Sequence, residues 1–416
     1  MLRLCLGLVL LLACGERTEP AGAGADAGSP EDPNCPARAK VGETLPDTGA
    51  ELSKLESWVG SGLFTQAQLD EVLLSADEIA AHDAALRRAD ESSLVVDLAR
   101  PLDSETVRKE LFQRLSLWEE RFRNNEHTLE RGDGLAAIKR VQALPFNEER
   151  SLYVALKPIT LRCAPLLDVV RSVRGDKRFD RNLCSQVRAQ EPLEVLGQLG
   201  ELRFVRSAYA IGFIAKDAPL SPRVPDALTA GYRRPRERVL QQSLTLAGVN
   251  LAPGTVLVSA EDRAVHVATA QGFQLSQSLS EEQAQSSARA LTRGEFLRAA
   301  FGFIGSPYGL GDENGGRDCS RLVLDVLRQF GLHLPRASVQ QSQAGLYTIE
   351  VPPDTSETDR LGLLDEAAER GVVLMHFPGH IAFYLGRDQG GVPRLFHSFA
   401  EFLRSCPSGG ETLVEV

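Results

Sequence analysis

The stretch from Gly315 to Gln341, GGRDCSRLVLDVLRQFGLHLPRASVQQ, constrains the fold more than any other part of this 416-residue chain. A glycine-rich loop ends at Asp318, which is a good helix N-cap, and the apolar residues that follow recur with helical spacing. These residues share one helix face: Leu322, Val323, Val326, Leu327 and Phe330. Gly331 is a suitable stop for the helix. The sequence therefore predicts a helix with one face in a core and with Cys319 in its first turn.

After residue 371 the apolar pattern changes to the period of a β-strand. The runs GVVLMHF, HIAFYLG and RLFHSF are separated by Pro378–Gly379 and by a hairpin rich in glycine and proline. In the second run His380, Ala382 and Tyr384 share one face. A helix followed by an antiparallel sheet predicts an α+β domain over residues 283–416.

The chain before this domain divides into parts of different composition. Residues 51–143 show helical spacing throughout and are expected to form a wholly helical segment that packs against the β-rich part of the chain after it. Short β-prone runs separated by Pro, Gly and Asp occupy residues 144–222 and again residues 223–282. This pattern is typical of small β-barrels, so each stretch is expected to form one.

The first 14 residues have the pattern of an export signal. Arg3 precedes the apolar run Leu4 to Ala13, which is too short to span a membrane because a spanning helix needs about 20 residues. The run ends in LLAC, which resembles a bacterial lipobox with Cys14 as the acylated residue, although Leu12 stands where a small residue is usual. An ordinary cleaved signal peptide is the alternative.

Residues 15–50 are poor in bulky apolar side chains, so we expect them to form a flexible tether. Two acyl chains on Cys14 would anchor the protein stably to a membrane. The predicted location is the cell envelope, on the periplasmic face. Gly15 is not the aspartate that retains some lipoproteins at the inner membrane, so the outer membrane is preferred.

Charge and cysteine content narrow the function. The formal net charge of −10 argues against broad binding to nucleic acid, which needs clustered basic residues.

Seven cysteines are present, and Cys163 and Cys184 are close enough in sequence to form a disulfide bond within one small domain in an oxidising compartment. If Cys35 also pairs with Cys406, Cys319 is the free thiol.

Cys319 lies where a thiol is ionised most easily, because the first turn of a helix offers unpaired N–H groups and the positive end of the helix dipole. A cysteine peptidase also needs an imidazole and a third group that orients it. His380 could meet Cys319 across the junction of helix and sheet, and His397 on the next strand could orient His380. The alternative is a buried thiol with no chemical role.

The same residues carry a resemblance to a known family. FIGSPYGLG, GGRDCSRLV and GLHLPRASVQQ, followed by GHIAFYLG and LFHSF, resemble the NlpC/p60 cell-wall peptidases, which have a papain-like fold. The resemblance covers residues 293–400 and implies Cys319 as nucleophile, His380 as base and His397 as the third residue. It also implies that Tyr308 helps to stabilise the oxyanion.

The upstream segments are similar to those of family members that carry bacterial SH3-like domains. Those enzymes cut the bond between γ-D-glutamate and the diamino acid in peptidoglycan stem peptides. The resemblance makes Tyr209 a candidate wall of the substrate groove, with a core aromatic residue as the alternative. Four further residues match positions that line the cleft: Asp318, Ser320, Arg336 and Ser338.

The chain departs from the family pattern at two positions. Arg321 replaces the usual glycine after DCS, and its charge is expected to point along the helix without blocking chemistry. Ala337 stands where members that grip the free amine of an N-terminal L-alanine often have aspartate. A strict requirement for that free amine is therefore in doubt.

No metal or organic cofactor is predicted. His376 and His380 have the spacing of a helical zinc pair, but Pro378 and Gly379 break any helix between them. The expected protein is a monomeric cysteine peptidase that acts on peptidoglycan stem peptides or muropeptides. A non-catalytic wall-binding lipoprotein and an acyl or amide transferase on the same scaffold are the alternatives.

Overall fold

A computed structural model describes most of the chain from residue 65 onward. The fully described ranges are 65–87, 96–174, 177–234, 236–387 and 391–401. The structure describes only the strand pairing of residues 10–14, 38–40, 402–405 and 411–415. The side chain of Cys14, most of the predicted tether, Cys35 and Cys406 therefore lie outside the described residues.

The helices and strands alternate in a mixed architecture. The helices are α1 (Gln66–Leu69), α2 (Ala76–Leu86), α3 (Ser104–Arg123), α4 (Gly134–Gln142), α5 (Asp226–Arg233), α6 (Arg293–Phe301), α7 (Cys319–Arg328), α8 (Ser338–Gln341) and α9 (Glu357–Arg370). The strands are β1 (Leu10–Cys14), β2 (Arg38–Lys40), β3 (Val72–Leu74), β4 (His127–Leu129), β5 (Phe146–Val154), β6 (Ile159–Arg162), β7 (Val170–Ser172), β8 (Leu183–Val187), β9 (Pro192–Leu199), β10 (Leu202–Arg206), β11 (Ile211–Ala215), β12 (Glu237–Leu240), β13 (Leu244–Leu246), β14 (Val249–Leu251), β15 (Val256–Ser259), β16 (Val265–Thr269), β17 (Gly272–Leu275), β18 (Ala284–Ser286), β19 (Leu291–Thr292), β20 (Tyr347–Val351), β21 (Val373–Phe377), β22 (His380–Arg387), β23 (Pro393–Phe396), β24 (Glu401–Ser405) and β25 (Glu411–Glu415).

The C-terminal part is a three-layer α/β/α unit around a five-stranded sheet with the order β20-β1-β21-β22-β23. Ile381 and Phe383 on β22 pack on one face, in the core that contains α6 and α7. Tyr384 on the opposite face of β22 packs against α9 through Leu364. Successive residues of β22 face opposite sides of the sheet, as expected from the sequence. Each side therefore buries apolar side chains under a layer of helices.

Strand β1 lies between β20 and β21 and runs parallel to both. Its residues are those of the predicted lipobox. The pairing describes the unprocessed chain, since cleavage before Cys14 would remove most of this strand. Export and lipidation stay predictions.

Helix α7 begins and ends where the sequence indicated. The carboxylate of Asp318 accepts a hydrogen bond from the backbone N–H of Arg321 at 2.9 Å, which confirms the predicted N-cap. Gly331 follows the helix with a φ of +81°, a left-handed conformation that favours glycine. The predicted apolar face is buried in the core shared with β22.

Residues 144–222 hold a six-stranded antiparallel sheet with the order β5-β9-β10-β11-β6-β8. Helix α3 covers one side of it, where Leu111 and Leu115 pack on Phe204 and Phe213. This contact confirms that the helical segment packs against the sheet after it. The predicted bond between Cys163 and Cys184 is also confirmed, with 5.0 Å between the Cα atoms.

The next sheet along the chain has five strands with the order β17-β16-β15-β12-β18. It takes in β18, so it extends beyond the predicted boundary at residue 282. Both upstream sheets are open, and no closed barrel occurs within the described ranges. The SH3-like prediction is therefore not confirmed.

The segment expected to be wholly helical also contains strands. β3 pairs with β19, more than 200 residues away, and β4 pairs with β7. Local periodicity could not indicate these pairings because each strand has only three residues. No helix of the described residues is long and apolar enough to cross a membrane.

Candidate active site

Cys319 is the first residue of α7 and is 7% exposed. The backbone N–H groups of Ile381 and Ser320 favour its thiolate. Burial and the neighbouring carboxylate of Asp318 act in the opposite direction and raise the pKa of the thiol. The helix end alone predicts a lowered pKa for Cys319, and this prediction is therefore wrong for the resting protein. Cys319 rests as a thiol at neutral pH.

His380 opens β22, immediately before the residue whose N–H faces Cys319. Its Nε2 lies 2.8 Å from Nδ1 of His397, so one of the two nitrogens donates a hydrogen bond to the other. Burial, followed by the nearby His397 and His376, lowers the pKa of His380 to about 4. Its imidazole is therefore neutral at pH 7 and can accept a proton.

His397 follows the last residue of β23 instead of lying within the strand. Its ring stacks on Phe399, with the ring centres 4.4 Å apart and the planes 17° from parallel. This stacking and the bond to His380 fix the ring orientation. Within the described part of the chain, no hydrogen bond joins the sulfur of Cys319 to His380.

Tyr308 approaches the site from the loop before α7. Its backbone pairs with that of Arg317 in an isolated bridge, and its ring meets the edge of Phe179 at 6.0 Å. Burial and the negative charge of Asp318 raise the pKa of its hydroxyl. The hydroxyl stays protonated and can donate a hydrogen bond near Cys319.

A cavity of about 630 Å³ adjoins Tyr308 and His397, and we call it the Tyr308 cavity. Its wall is largely aromatic and aliphatic, with Phe179, Phe303 and Phe399 as members. Such a wall with a few polar groups is typical of a ligand site.

The fold brings together three of the residues predicted to line the cleft, but it buries their side chains. These residues are Asp318, Ser320 and Arg336. Each is less than 9% exposed. The guanidinium of Arg336 donates to Asp318 at 2.7 and 3.0 Å and to the Ser320 hydroxyl at 2.8 Å. Asp318 thus serves both as helix cap and as the partner of Arg336. Ser338 is only partly buried, at the start of α8.

A second cavity, of about 560 Å³, opens beside Arg336 and Ala337, and we call it the Ala337 cavity. Tyr209 forms part of its wall, but the side chain is only 6% exposed, and a role as substrate contact stays a prediction. The Tyr209 hydroxyl lies 2.6 Å from Oε2 of Glu191 and 2.8 Å from the carbonyl oxygen of Gln186. Tyr209 is therefore anchored in the core of the first upstream sheet.

Arg321 extends along α7, as the sequence predicts, but it lies inside the protein and not at the surface. It is fully buried, and its guanidinium lies 4.8 Å from the ring centre of Tyr209. It donates to Asp325 at 2.8 Å, one turn further along α7. Arg321 thus joins α7 to the first upstream sheet.

Asp312 is a residue that sequence reasoning missed. It is fully buried in the glycine-rich loop, and it pairs with Arg336 at 3.0 Å. It also accepts hydrogen bonds from the Ser185 hydroxyl at 2.7 Å and the Gln186 backbone at 3.0 Å. The only signal in the sequence was an acidic residue among the glycines, which gave no indication of its partners.

Comparison with known proteins identifies the C-terminal part. The model of the NlpC/P60 family matches residues 305–393, the region that contains Cys319 and His380. Residues 305–393 form an NlpC/P60 domain. Members of this family are cysteine peptidases.

Solved structures support the fold of the NlpC/P60 domain and of the chain around it. An NlpC/P60 endopeptidase from Photobacterium damselae subsp. piscicida superimposes with a TM-score of 0.59 at 15% identity, over 85% of this chain and 87% of that one. An NlpC/P60 family protein from Bacillus cereus ATCC 10987 gives a TM-score of 0.36 at 12% identity, over 64% of this chain and 94% of the other. Only the first similarity is strong enough to support the shared fold. No curated protein matches the sequence.

Proposed function

We propose that this chain is a cysteine endopeptidase that hydrolyses the γ-D-glutamyl–diaminopimelate bond of peptidoglycan stem peptides. The observation that carries the proposal is the 2.8 Å bond between His380 and His397, on a strand that starts beside Cys319. It provides an oriented, neutral base next to a thiol, as nucleophilic catalysis requires. The NlpC/P60 match supplies the class of substrate.

In the proposed reaction His380 acts as a general base, because thiol and imidazole are both uncharged at rest. Sγ of Cys319 attacks the γ-carbonyl carbon of D-glutamate while its proton passes to His380. The negative oxygen is stabilised by the backbone N–H of Cys319 and by the Tyr308 hydroxyl.

The intermediate then collapses with cleavage of the C–N bond. His380 returns its proton to the amine of diaminopimelate, which leaves, and a thioester remains on Cys319. Water, deprotonated by His380, attacks the thioester and releases the glutamate carboxylate and the thiol. His397 holds the His380 ring in place during both transfers.

The Ala337 cavity supports a relaxed requirement for a free N-terminal amine. Among the residues that the structure describes, its wall includes Arg100, Arg114 and Arg336 but only one acid, Asp97. Asp97 is already paired with Arg234 at 3.0 Å. A positively charged amine has no free carboxylate to meet in this wall, so we expect stem peptides that are capped at L-alanine to be accepted.

We also propose, from the lipobox resemblance, that the mature protein begins at an acylated Cys14 and faces the periplasm from the outer membrane. The stem peptides of the wall would lie within reach of such an anchored enzyme, with residues 15–50 as tether.

Mass spectrometry of peptide products tests the proposed activity. L-Ala-γ-D-Glu-diaminopimelate, free or N-acetylated, is incubated with the folded, reduced protein and with its Cys319→Ala variant. We expect cleavage after D-glutamate of both peptides, by the wild-type protein only. Cleavage of the free peptide alone would refute the relaxed amine requirement, and cleavage of neither peptide nor of purified sacculi would refute the peptidase.

A further inference from the structure

A third cavity, of about 330 Å³, lies behind the catalytic helix, where α7 meets both upstream sheets. We call it the interdomain cavity. Gln186 and Arg188 line it from the first sheet, Val239 and Leu251 from the second, and Asp325 from α7. Its rim includes Ala252, Pro253 and Gly254, which are exposed, so the cavity can be reached from solvent.

The wall of the interdomain cavity carries more positive than negative groups. Its charged members are Arg188, Arg317, Arg321, Arg328, Glu191 and Asp325. The single carboxylate of Asp325 lies 2.8 Å from Arg317, 2.8 Å from Arg321 and 3.1 Å from Arg188. Arg317 also donates to the Ser306 hydroxyl and Arg321 to the Gln186 carbonyl oxygen, each at 3.3 Å, but these acceptors do not satisfy all the N–H groups of the three guanidinium groups.

Buried donors remain without an acceptor. Nε and Nη2 of Arg188 and Nη2 of Arg321 make no hydrogen bond within the described ranges, so the approach of Arg188 to Asp325 is an ion pair alone. The side chain of Arg321 is completely buried, and its Nη2 lies 3.7 Å from Glu191, which is too long for a hydrogen bond. Burial lowers the pKa of Arg188. Buried polar groups of native proteins nearly always have partners, so these donors point to a missing one.

We propose that the interdomain cavity binds a small anion through these donors, by a carboxylate or a phosphate group. Guanidinium groups bind both with charge-assisted hydrogen bonds. Apolar neighbours such as Leu251, Val239 and Phe303 leave room for a short aliphatic part of the ligand. The bound anion would supply the missing acceptors and hold α7 to both upstream sheets. The site is separate from the proposed peptidase reaction and does not depend on it.

Isothermal titration calorimetry of the full chain with inorganic phosphate and with acetate, at constant ionic strength, tests the site. Arg188→Gln removes two of the unpaired donors, while Asp325 keeps Arg317 and Arg321 as partners. The matched control is Arg223→Gln, an exposed arginine of the same upstream region. Circular dichroism establishes that each variant is folded.

We expect saturable binding of at least one probe to the wild-type protein, with a dissociation constant raised about tenfold or more by Arg188→Gln and unchanged by Arg223→Gln. A preference for phosphate or for acetate identifies the anionic group. Absence of saturable binding of both probes would overturn the proposal. Equal affinity of the wild-type and Arg188→Gln proteins would also overturn it, since the anion would then bind elsewhere.

Discussion

Burial and the helix terminus shift the pKa of the Cys319 thiol in opposite directions. The N–H groups at the helix end favour the thiolate, but loss of water and the carboxylate of Asp318 outweigh them. Slow alkylation at neutral pH is therefore expected even of a catalytic Cys319. Alkylation rate does not distinguish an active peptidase from a binding protein.

The pH dependence of the reaction should follow His380. Its pKa is lowered to about 4, so the imidazole is neutral above that value and can accept the thiol proton. We expect kcat/KM to be level from about pH 5 to 7 and to fall tenfold per pH unit below about pH 4. The measurement is a pH profile of peptide cleavage, with circular dichroism to show folded protein at each pH. An acidic limb at pH 6 to 7 would contradict the lowered pKa.

In the proposed reaction His397 acts by positioning, since it reaches the reacting atoms through His380. His397→Ala should lower kcat by about 100-fold, in the range of a lost acid–base orientation, and leave KM nearly unchanged. His397→Asn retains polar atoms near the Nδ1 position and should recover part of the loss. Steady-state measurements of kcat and KM for both variants test this role. Equal losses in both, or a rise in KM alone, would speak against positioning.

The sequence could indicate the places of Cys319 and His380 because each begins an element with a clear apolar period, whereas His397 lies just after the end of β23. It could not predict the position of Arg321 or Asp312. Their partners, Tyr209 and Ser185, lie more than 100 residues earlier in the chain, and no local pattern links them. Buried ion pairs between distant segments depend on the packing of whole elements.

Among the elements, α7 has two functions. One face packs against β22 and carries Cys319, while the other holds Arg321 and Arg328 against the upstream sheets. Arg328 is paired with Glu191 and, at 2.8 Å, with Glu237. The helix that carries Cys319 is thus also the helix that contacts the upstream sheets.

Removal of the Arg321 side chain should destabilise the protein. Arg321→Ala removes a buried cation from Asp325 and from the Tyr209 ring, and loss of one partner from a buried pair costs about 3–5 kcal/mol. The free energy of unfolding in urea gives the measure. Arg108→Ala, at a residue with a 68% exposed side chain on α3, is the control and should change it by less than about 0.5 kcal/mol. Similar values for both variants would contradict the role of Arg321.

Strong periodicity in the sequence predicts which segments form helices and which form strands. It does not predict which strands pair with each other. The runs around β9, β10, β16, β21 and β22 were all expected as strands from alternation and turn residues. Closure of the upstream strands into barrels was inferred from their length and spacing alone. Those features do not set the hydrogen-bond partners of the edge strands, and the edges stay open.

At the scale of the whole molecule, His333 joins three parts of the chain. Its Nδ1 lies 3.0 Å from Asp83 on α2, and its Nε2 lies 3.2 Å from Glu237 on β12. Arg87 pairs with the same Asp83, and Arg328 with the same Glu237. The two carboxylates outweigh burial and raise the pKa of His333, while His333 helps to lower the pKa of Asp83 to about 2.

This arrangement predicts a pH-dependent stability. Because the pKa of His333 is raised on folding, its contribution is complete below the unfolded pKa of about 6.5 and is lost as the pH rises through the folded pKa. At pH 6, His333→Gln should cost about 1.5–3 kcal/mol, the value of a hydrogen bond to a charged group. The cost should shrink toward pH 9. Urea unfolding of both proteins from pH 6 to 9 checks it, and a cost independent of pH would contradict a charged His333.

The central claim is hydrolysis through Cys319, and cleavage of the stem tripeptide in water enriched in oxygen-18 tests it most directly. We predict one heavy oxygen in the γ-carboxylate of the released L-Ala-D-Glu with the wild-type protein, and no product with Cys319→Ala. A product without heavy oxygen, or one joined to an added amine, would indicate a transferase. Labelled product from the Cys319→Ala variant, or no product from the folded, reduced wild-type protein, would contradict the account.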